Sequence, residues 1–281
     1  MTDRPDVDPG GVDPGGVDPG EGGDDAIRRR FAGHDPQAGV DTGGTPWSGR
    51  QLTSTGFDGD TGDADAVLIE ALRRRGAEAT AADDVRLVEL VTAARLLVPV
   101  VAVAGETTTI NGLVSDATSD MAAVTLVAPD GQRALPAFTS LEALGQWDAS
   151  ARPVPVSAQR AAQAAVQEGC HVIVLDPGLP TAGTLRGSMV WALAMGRDWL
   201  PAHQDPQVRA GVEAATAPEP DVGSVRLEGG SDGELVIRLG LQPGLDGSQV
   251  RDLVQRVSER VATDGEVRAR IDAISFALGA V

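Results

Sequence analysis

The sequence predicts an α+β protein: a mixed sheet covered by helices, followed by a small β-β-α-β unit, behind a disordered N-terminal tail. Three observations predict it. The opening segment repeats VDPGG nearly three times and carries almost no apolar side chains. From residue 46 to 216, helical and strand periodicities follow one another in an irregular order, which suits a mixed sheet better than a strictly alternating one. The block 217–281 reads as strand, strand, long helix and strand.

In the tail, each Asp-Pro-Gly is turn chemistry, with proline fixing φ and glycine allowing positive φ. One valine per repeat buries too little surface to offset the entropy of ordering the backbone. Glycine is not at every third position, so the repeat is not collagen-like. The segment 1–45 is therefore expected to be a disordered acidic spacer. Structure is expected to start at PWSGRQL (46–52).

The elements follow in order. Val67, Leu68, Ala71 and Leu72 make one helical stripe, capped by Asp63 or Asp65 and stopped at Gly76. A second helix runs from Asp83, with Leu87, Leu90, Val91 and Ala94 on a stripe. RLLVPVVAV, from Arg95, is apolar enough for a strand covered on both faces, with Pro99 marking an edge or bulge. AAVTLVAPDGQRALPAF reads as a hairpin turning at Asp130-Gly131. Thr139 and Glu142 have capping-box spacing for a short helix ending near Trp147. Ser157 caps an alanine-rich helix whose face of Ala161, Ala164 and Ala165 suits close packing. HVIVLDPG is a buried strand, and 188–196 and 207–215 are helices.

TAPEPD (216–221) reads as a linker between a domain at 46–216 and a small domain at 217–281. In the latter, Leu235, Ile237, Leu239 and Leu241 alternate like a strand with one buried face. Asp246 and Gln249 fit a capping box, and Val250, Leu253, Val254, Val257 and Val261 form a helical stripe. So small a unit is marginal alone and is expected to dock on the first domain or on a second copy, as a homodimer.

Composition excludes several chemistries. The chain has 281 residues and a net charge of -18, which disfavours nucleic acid and anionic membranes as partners. It has no tyrosine and, with arginine as its only strongly basic residue, no lysine. A lysine Schiff base, a phosphate-loop lysine and a phenolic acid are thus all absent. One cysteine, Cys170, rules out an intramolecular disulfide, and no signal-like or membrane-spanning segment is read. A cytoplasmic protein is expected.

Several segments together resemble the SseB family, named for enhanced serine sensitivity, in its actinobacterial form. They are PWSGRQL, DGDTGDADAVLIEAL, ARLLVPVVAV, SDMAAVTLVAPDGQRALPAFTSLEALGQW, ARPVPV, VIVLDP and 186–201. The end, LGLQPGLDGSQV…RID, is similar to that family's C-terminal region. The resemblance implies a two-part α+β protein with no established catalytic residue, and a phenotypic link to amino-acid metabolism.

Candidate sites are few. Cys170 and His171 are neighbours on a strand and point to opposite faces, so they cannot pair as nucleophile and base. Asp58, Asp60, Asp63 and Asp65 suggest a calcium loop, but Gly62 and Ile69 then stand where oxygen ligands are needed. A turn and a helix cap explain these aspartates, and neither metal nor cofactor is expected. GTLRGS (183–188) lies between a strand and a helix. Its amides, with Asp176, Arg186 and Ser188, can hold a carboxylate or phosphate. Trp47, Arg50 and Trp199 are candidate partner contacts, while Trp147 and Trp191 read as core.

Two functional readings result. In the first, this is a non-catalytic module that binds a protein partner or a small metabolite. In the second, it is an enzyme acting on an amino acid or related anion through an Asp/Arg site.

Overall fold

The acidic run after residue 57 ends in a helix cap. Asp65 accepts from the amides of Val67 and Leu68 and starts α1 (Ala66–Arg74), and Arg73 and Arg74 in its last turn offset the helix dipole. The computed structural model describes residues 56–75, 79–104, 107–110, 113–116 and 119–280, with backbone alone over 101–122. The tail to residue 45, the start at 46–52 and Gly76 lie outside the described residues. Leu68 and Leu72 are buried, but Val67, read onto the same stripe, is exposed. α2 (Ala81–Ala93) starts earlier than its sequence suggests, because Thr80 and Asp83 make a reciprocal capping box.

β1 (Arg95–Ala104) carries Leu96, Leu97 and Val98, all buried, as a strand covered on both faces should. Pro99 does not make it an edge. β1 is the middle strand between β4 (Ser119–Ala123) and β7 (Arg152–Ser157), antiparallel to both. The register explains the tolerance. Leu97 exchanges two 2.8 Å backbone hydrogen bonds with Phe138, so it is turned away from β7. Pro155 lies opposite Leu97, and Pro153 lies opposite Pro99. All three prolines thus occupy positions of the β1–β7 ladder that ask for no N–H.

The second sheet has the order β5 (Leu126–Val127), β6 (Arg133–Ala137), β8 (Val172–Leu175), β9 (Gly183–Leu185). It is mixed: β6 and β8 run parallel, and the outer pairs are antiparallel. The β5–β6 hairpin turns at Asp130-Gly131, with Gly131 at φ +85°. β9 comes from a segment that reads as loop. A further antiparallel hairpin, β2 (Thr107–Ile110) with β3 (Leu113–Asp116), adds to the elements the sequence predicts.

α3 (Leu141–Trp147) is capped by Ser140 rather than by a Thr139–Glu142 box. α4 (Ala158–Gln167) is capped by Ser157 as expected, and buries Ala158, Ala161, Ala162 and Ala165, with Ala164 only half-buried. These small side chains let α4 approach α5 (Gly187–Met195), which ends at Gly196 with φ +63°. Trp147 packs on Phe138 with ring centroids 5.2 Å apart. Trp191, expected in the core, is instead 45% exposed.

A second core gathers α6 (Pro206–Thr216), β10 (Val222–Gly229), β11 (Glu234–Leu241), α7 (Gly247–Thr263), α8 (Gly265–Arg268) and β12 (Ala273–Ala280). Its sheet has the order β10-β11-β12, antiparallel then parallel. Leu235, Ile237 and Leu239 are fully buried under Leu253, Val257 and Val261 of α7, each worth about 1.5–3 kcal/mol. Asp246 and Gln249 make the expected capping box on α7. Val208 and Val212 place α6 in this core, upstream of the 216–221 segment. That segment is held down at Glu219, which is buried and bonded by Arg256 and Arg260 at 2.6 and 2.7 Å. The architecture is α+β. Both cores belong to one compact unit, Thr55–Val281. Among the described residues, no helix is long and apolar enough to cross a membrane.

Candidate functional site

The sequence points to the start of α5 as a place where a carboxylate can sit. A carboxylate is there, and it belongs to the protein. Asp272, just before β12, accepts from the Ser188 amide at 2.7 Å and from the Ser188 hydroxyl at 2.8 Å. The Nε of Arg186, the residue that precedes α5, donates to the same carboxylate at 3.0 Å. Amides at a helix start are unpaired within the helix and favour an anion, and Arg186 reinforces the preference.

Arg186 reaches the other way as well. Its Nη2 donates to Asp84 of α2 at 2.7 Å, and Arg75 grips the other Asp84 oxygen through Nη2 at 2.5 Å. Arg75 also donates to the Thr184 carbonyl at 3.2 Å, tying the end of α1 to β9. The result is a chain of charges, Arg75–Asp84–Arg186–Asp272, whose side chains are each no more than 16% exposed. Burial works against the Arg186 charge. Its bonds to Asp84 and Asp272 outweigh burial and hold its pKa above the ordinary arginine value. Trp199 supports the group from beneath. Its ring lies 5.8 Å from the Arg186 guanidinium carbon, and its Nε1 donates to the Ser188 hydroxyl at 3.0 Å.

This network lines a cavity of about 860 Å³. Arg75, Asp84, Arg186 and Ser188 line it from the first core, and His203, the 229–234 loop, Arg270 and Asp272 from the second. The loop comes close because Gly233 has no side chain: a Cβ there would run into the Arg186 guanidinium, and its φ of +81° favours glycine anyway.

The expected site residues separate. Arg186 and Ser188 lie together in the cavity wall. Asp176 does not join them. It is fully buried at φ 44°, accepting from the Thr139 amide and hydroxyl at 2.8 and 2.7 Å and from Thr181 at 3.0 Å. Trp199, expected at a partner surface, is 8% exposed and part of the wall. Trp47 and Arg50 lie outside the described residues. Cys170 is buried, and that burial raises its thiol pKa. Of the aspartates read as a turn and cap, Asp60 pairs with Arg95 and accepts from the Gly62 amide, while Asp65 caps α1. No group of His, Cys, Asp and Glu among the described residues has the geometry to hold a metal ion.

Sequence reasoning missed Asp84, Arg75 and Asp272. Asp84 left a signal: it stands in phase with Leu87, Val88 and Val91, so an acid lies on the buried stripe of α2. Asp272 left none, because its partner is 84 residues away.

The family model of the SseB protein N-terminal domain matches residues 68–192. That range covers α1 to most of α5, including Asp84, Arg186 and Ser188, and ends before Trp199 and Asp272. No curated protein and no solved structure matches the chain. The segment that holds most of the first core, with Arg75 and Arg186 of the cavity, thus matches the SseB protein N-terminal domain.

Proposed function

We propose that this chain is a binding protein whose cavity takes a small zwitterionic metabolite of the amino-acid kind. One observation carries the reading: charges of both signs face the same cavity with binding capacity left over. Arg186 uses Nε and Nη2 on Asp272 and Asp84, which leaves Nη1 outside those bonds. On the 229–234 loop of the same cavity, neither Asp232 nor Glu234 makes an ion pair among the described residues. A ligand carboxylate suits the first and a ligand ammonium the second. The volume lies in the range of small-molecule sites. The family's name, from enhanced serine sensitivity, makes serine the first compound to try.

An enzyme acting on an amino acid is the second reading, favoured by His203, which lines the same cavity as the Asp84–Arg186–Asp272 network. Binding is preferred because both oxygens of Asp84 and both of Asp272 already accept from protein donors. Both carboxylates are thus occupied in holding α2, the start of α5 and the segment before β12 together. A cytoplasmic location goes with this reading.

A thermal-shift screen of the whole chain against amino acids and nucleotides tests it. A ligand at about 100 times Kd adds about 2.7 kcal/mol, or about 5–10 °C in a chain of this size. A shift with amino acids supports the binding reading. A shift with nucleotides alone, or none, overturns it. Turnover of a compound that shifts the melt moves the assignment to the second reading.

A further inference from the structure

We propose that β12 joins two copies of this chain, edge to edge, into one six-stranded sheet. The two edges of the β10-β11-β12 sheet differ. β10 is blunted: its pairing shifts register between Val222 and Ser224, and it carries Arg226 and Glu228, the latter bonded to Arg238 of β11. Bulges and charges are how natural edges avoid pairing. β12 has none of these protections. Its eight residues, AISFALGA, include no charge and no proline, and it runs in register along β11 from Ala273 to Ala280.

The side chains say what kind of strand fits. Ile274, Phe276 and Leu278 lie on the face of Leu235, Ile237 and Leu239, the face of the second core. Ile274 and Leu278 are nonetheless 37% and 46% exposed, so the core is left open at this edge. The other face carries only Ala273, Ser275, Ala277 and Gly279, which block nothing.

The strand is also self-complementary. An antiparallel pairing of two copies about Phe276 sets Ile274 against Leu278, Phe276 against Phe276, Ser275 against Ala277 and Ala273 against Gly279. Large meets large on the core face, and small meets small on the other. A two-fold interface requires this self-match. With no charge on the strand, no like charges meet across the ladder despite the net -18 of each chain.

Sedimentation of the full chain over a concentration series tests the proposal. The expected result is a monomer–dimer equilibrium that the Ile274→Lys, Leu278→Lys double variant abolishes, because lysine then faces lysine. Ile274→Glu with Leu278→Glu has the same effect, and mixing the two variants restores a dimer. A second experiment does not depend on the apolar pair: chains with Ser275→Cys mixed with chains with Ala277→Cys form a disulfide-linked dimer under mild oxidation, since directly opposed strand positions lie within disulfide reach. A wild-type chain that stays monomeric at every concentration overturns the proposal. So does a lysine variant that still dimerises, or a cysteine mixture that does not cross-link.

Discussion

Asp272 places both carboxylate oxygens on Ser188, one at 2.7 Å from its amide nitrogen and the other at 2.8 Å from its hydroxyl. The anion site at the start of α5 is thus filled from within. Its occupant comes from the second core, so one carboxylate both neutralises a helix start and fastens the two cores together. Asp272→Asn removes the charge from Arg186 and from that helix start. Breaking one partner of a buried pair costs about 3–5 kcal/mol, and residual exposure of 13% at Asp272 brings the expected loss to about 2–4 kcal/mol. Urea unfolding measures it, and an unchanged midpoint would show that the contact holds nothing.

A second fastening sits at Glu219, whose pKa is lowered to about 2 by its hydrogen bonds to Arg256 and then to Arg260, against the cost of burial. A carboxyl whose folded pKa lies below its unfolded value stabilises the fold at pH above the unfolded pKa. That contribution is lost as pH falls from about 4.5 through about 2. Arg256 and Arg260 are 48% and 37% exposed, so solvent screening holds the contribution to about 1–2 kcal/mol. Glu219→Gln is expected to remove that amount at pH 7 and much less near pH 2. Melts at both pH values check the difference, and equal losses would contradict it.

Asp176 tests the separation of structural from binding residues. Its carboxylate accepts from Thr139 twice and from Thr181 once, inside the protein. Thr139→Val leaves the isostere in place but removes the hydroxyl donor. The expected cost is about 1–3 kcal/mol, with ligand binding in the cavity untouched. Loss of binding without loss of stability would return Asp176 to the site.

Gly211 sets two magnitudes against each other. Alanine is worth about 1 kcal/mol over glycine in a helix interior. At position 211, however, a Cβ would collide with Val267 of α8, where α6 and α8 meet. Overpacking costs about 1–3 kcal/mol, so Gly211→Ala is expected to lower the melting temperature. A rise would mean that α8 moves aside freely.

How much of this was legible depended on the range of the interaction. Local signals read well. The Asp246–Gln249 box, the Ser157 cap, the Asp130-Gly131 turn and the alternation from Leu235 to Leu241 all depend on neighbours within a few residues. Thr139 failed as a cap because Asp176, 37 residues away, takes its hydroxyl and its amide, leaving Ser140 to cap α3. Pro99 failed as an edge marker because prolines of β7 lie opposite both it and Leu97, a match visible only once the strands are paired. The β2–β3 hairpin was readable, since Asn111-Gly112 stands between the two strands in the sequence. At GTLRGS the sequence suggests a place for a ligand carboxylate or phosphate, while the group that meets Ser188 is Asp272, whose distance of 84 residues along the chain leaves no local signal.

The central claim is that the cavity between the cores binds a small zwitterion. It is tested most directly by calorimetric titration of the whole chain with L-serine and related amino acids, beside a Ser231→Trp variant. Ser231 lines the cavity and is exposed, so an indole there fills the space without entering either core. The account predicts saturable heat with at least one amino acid in the wild type, abolished in Ser231→Trp at an unchanged melting temperature. No heat with any amino acid, or binding that survives the tryptophan, would contradict it.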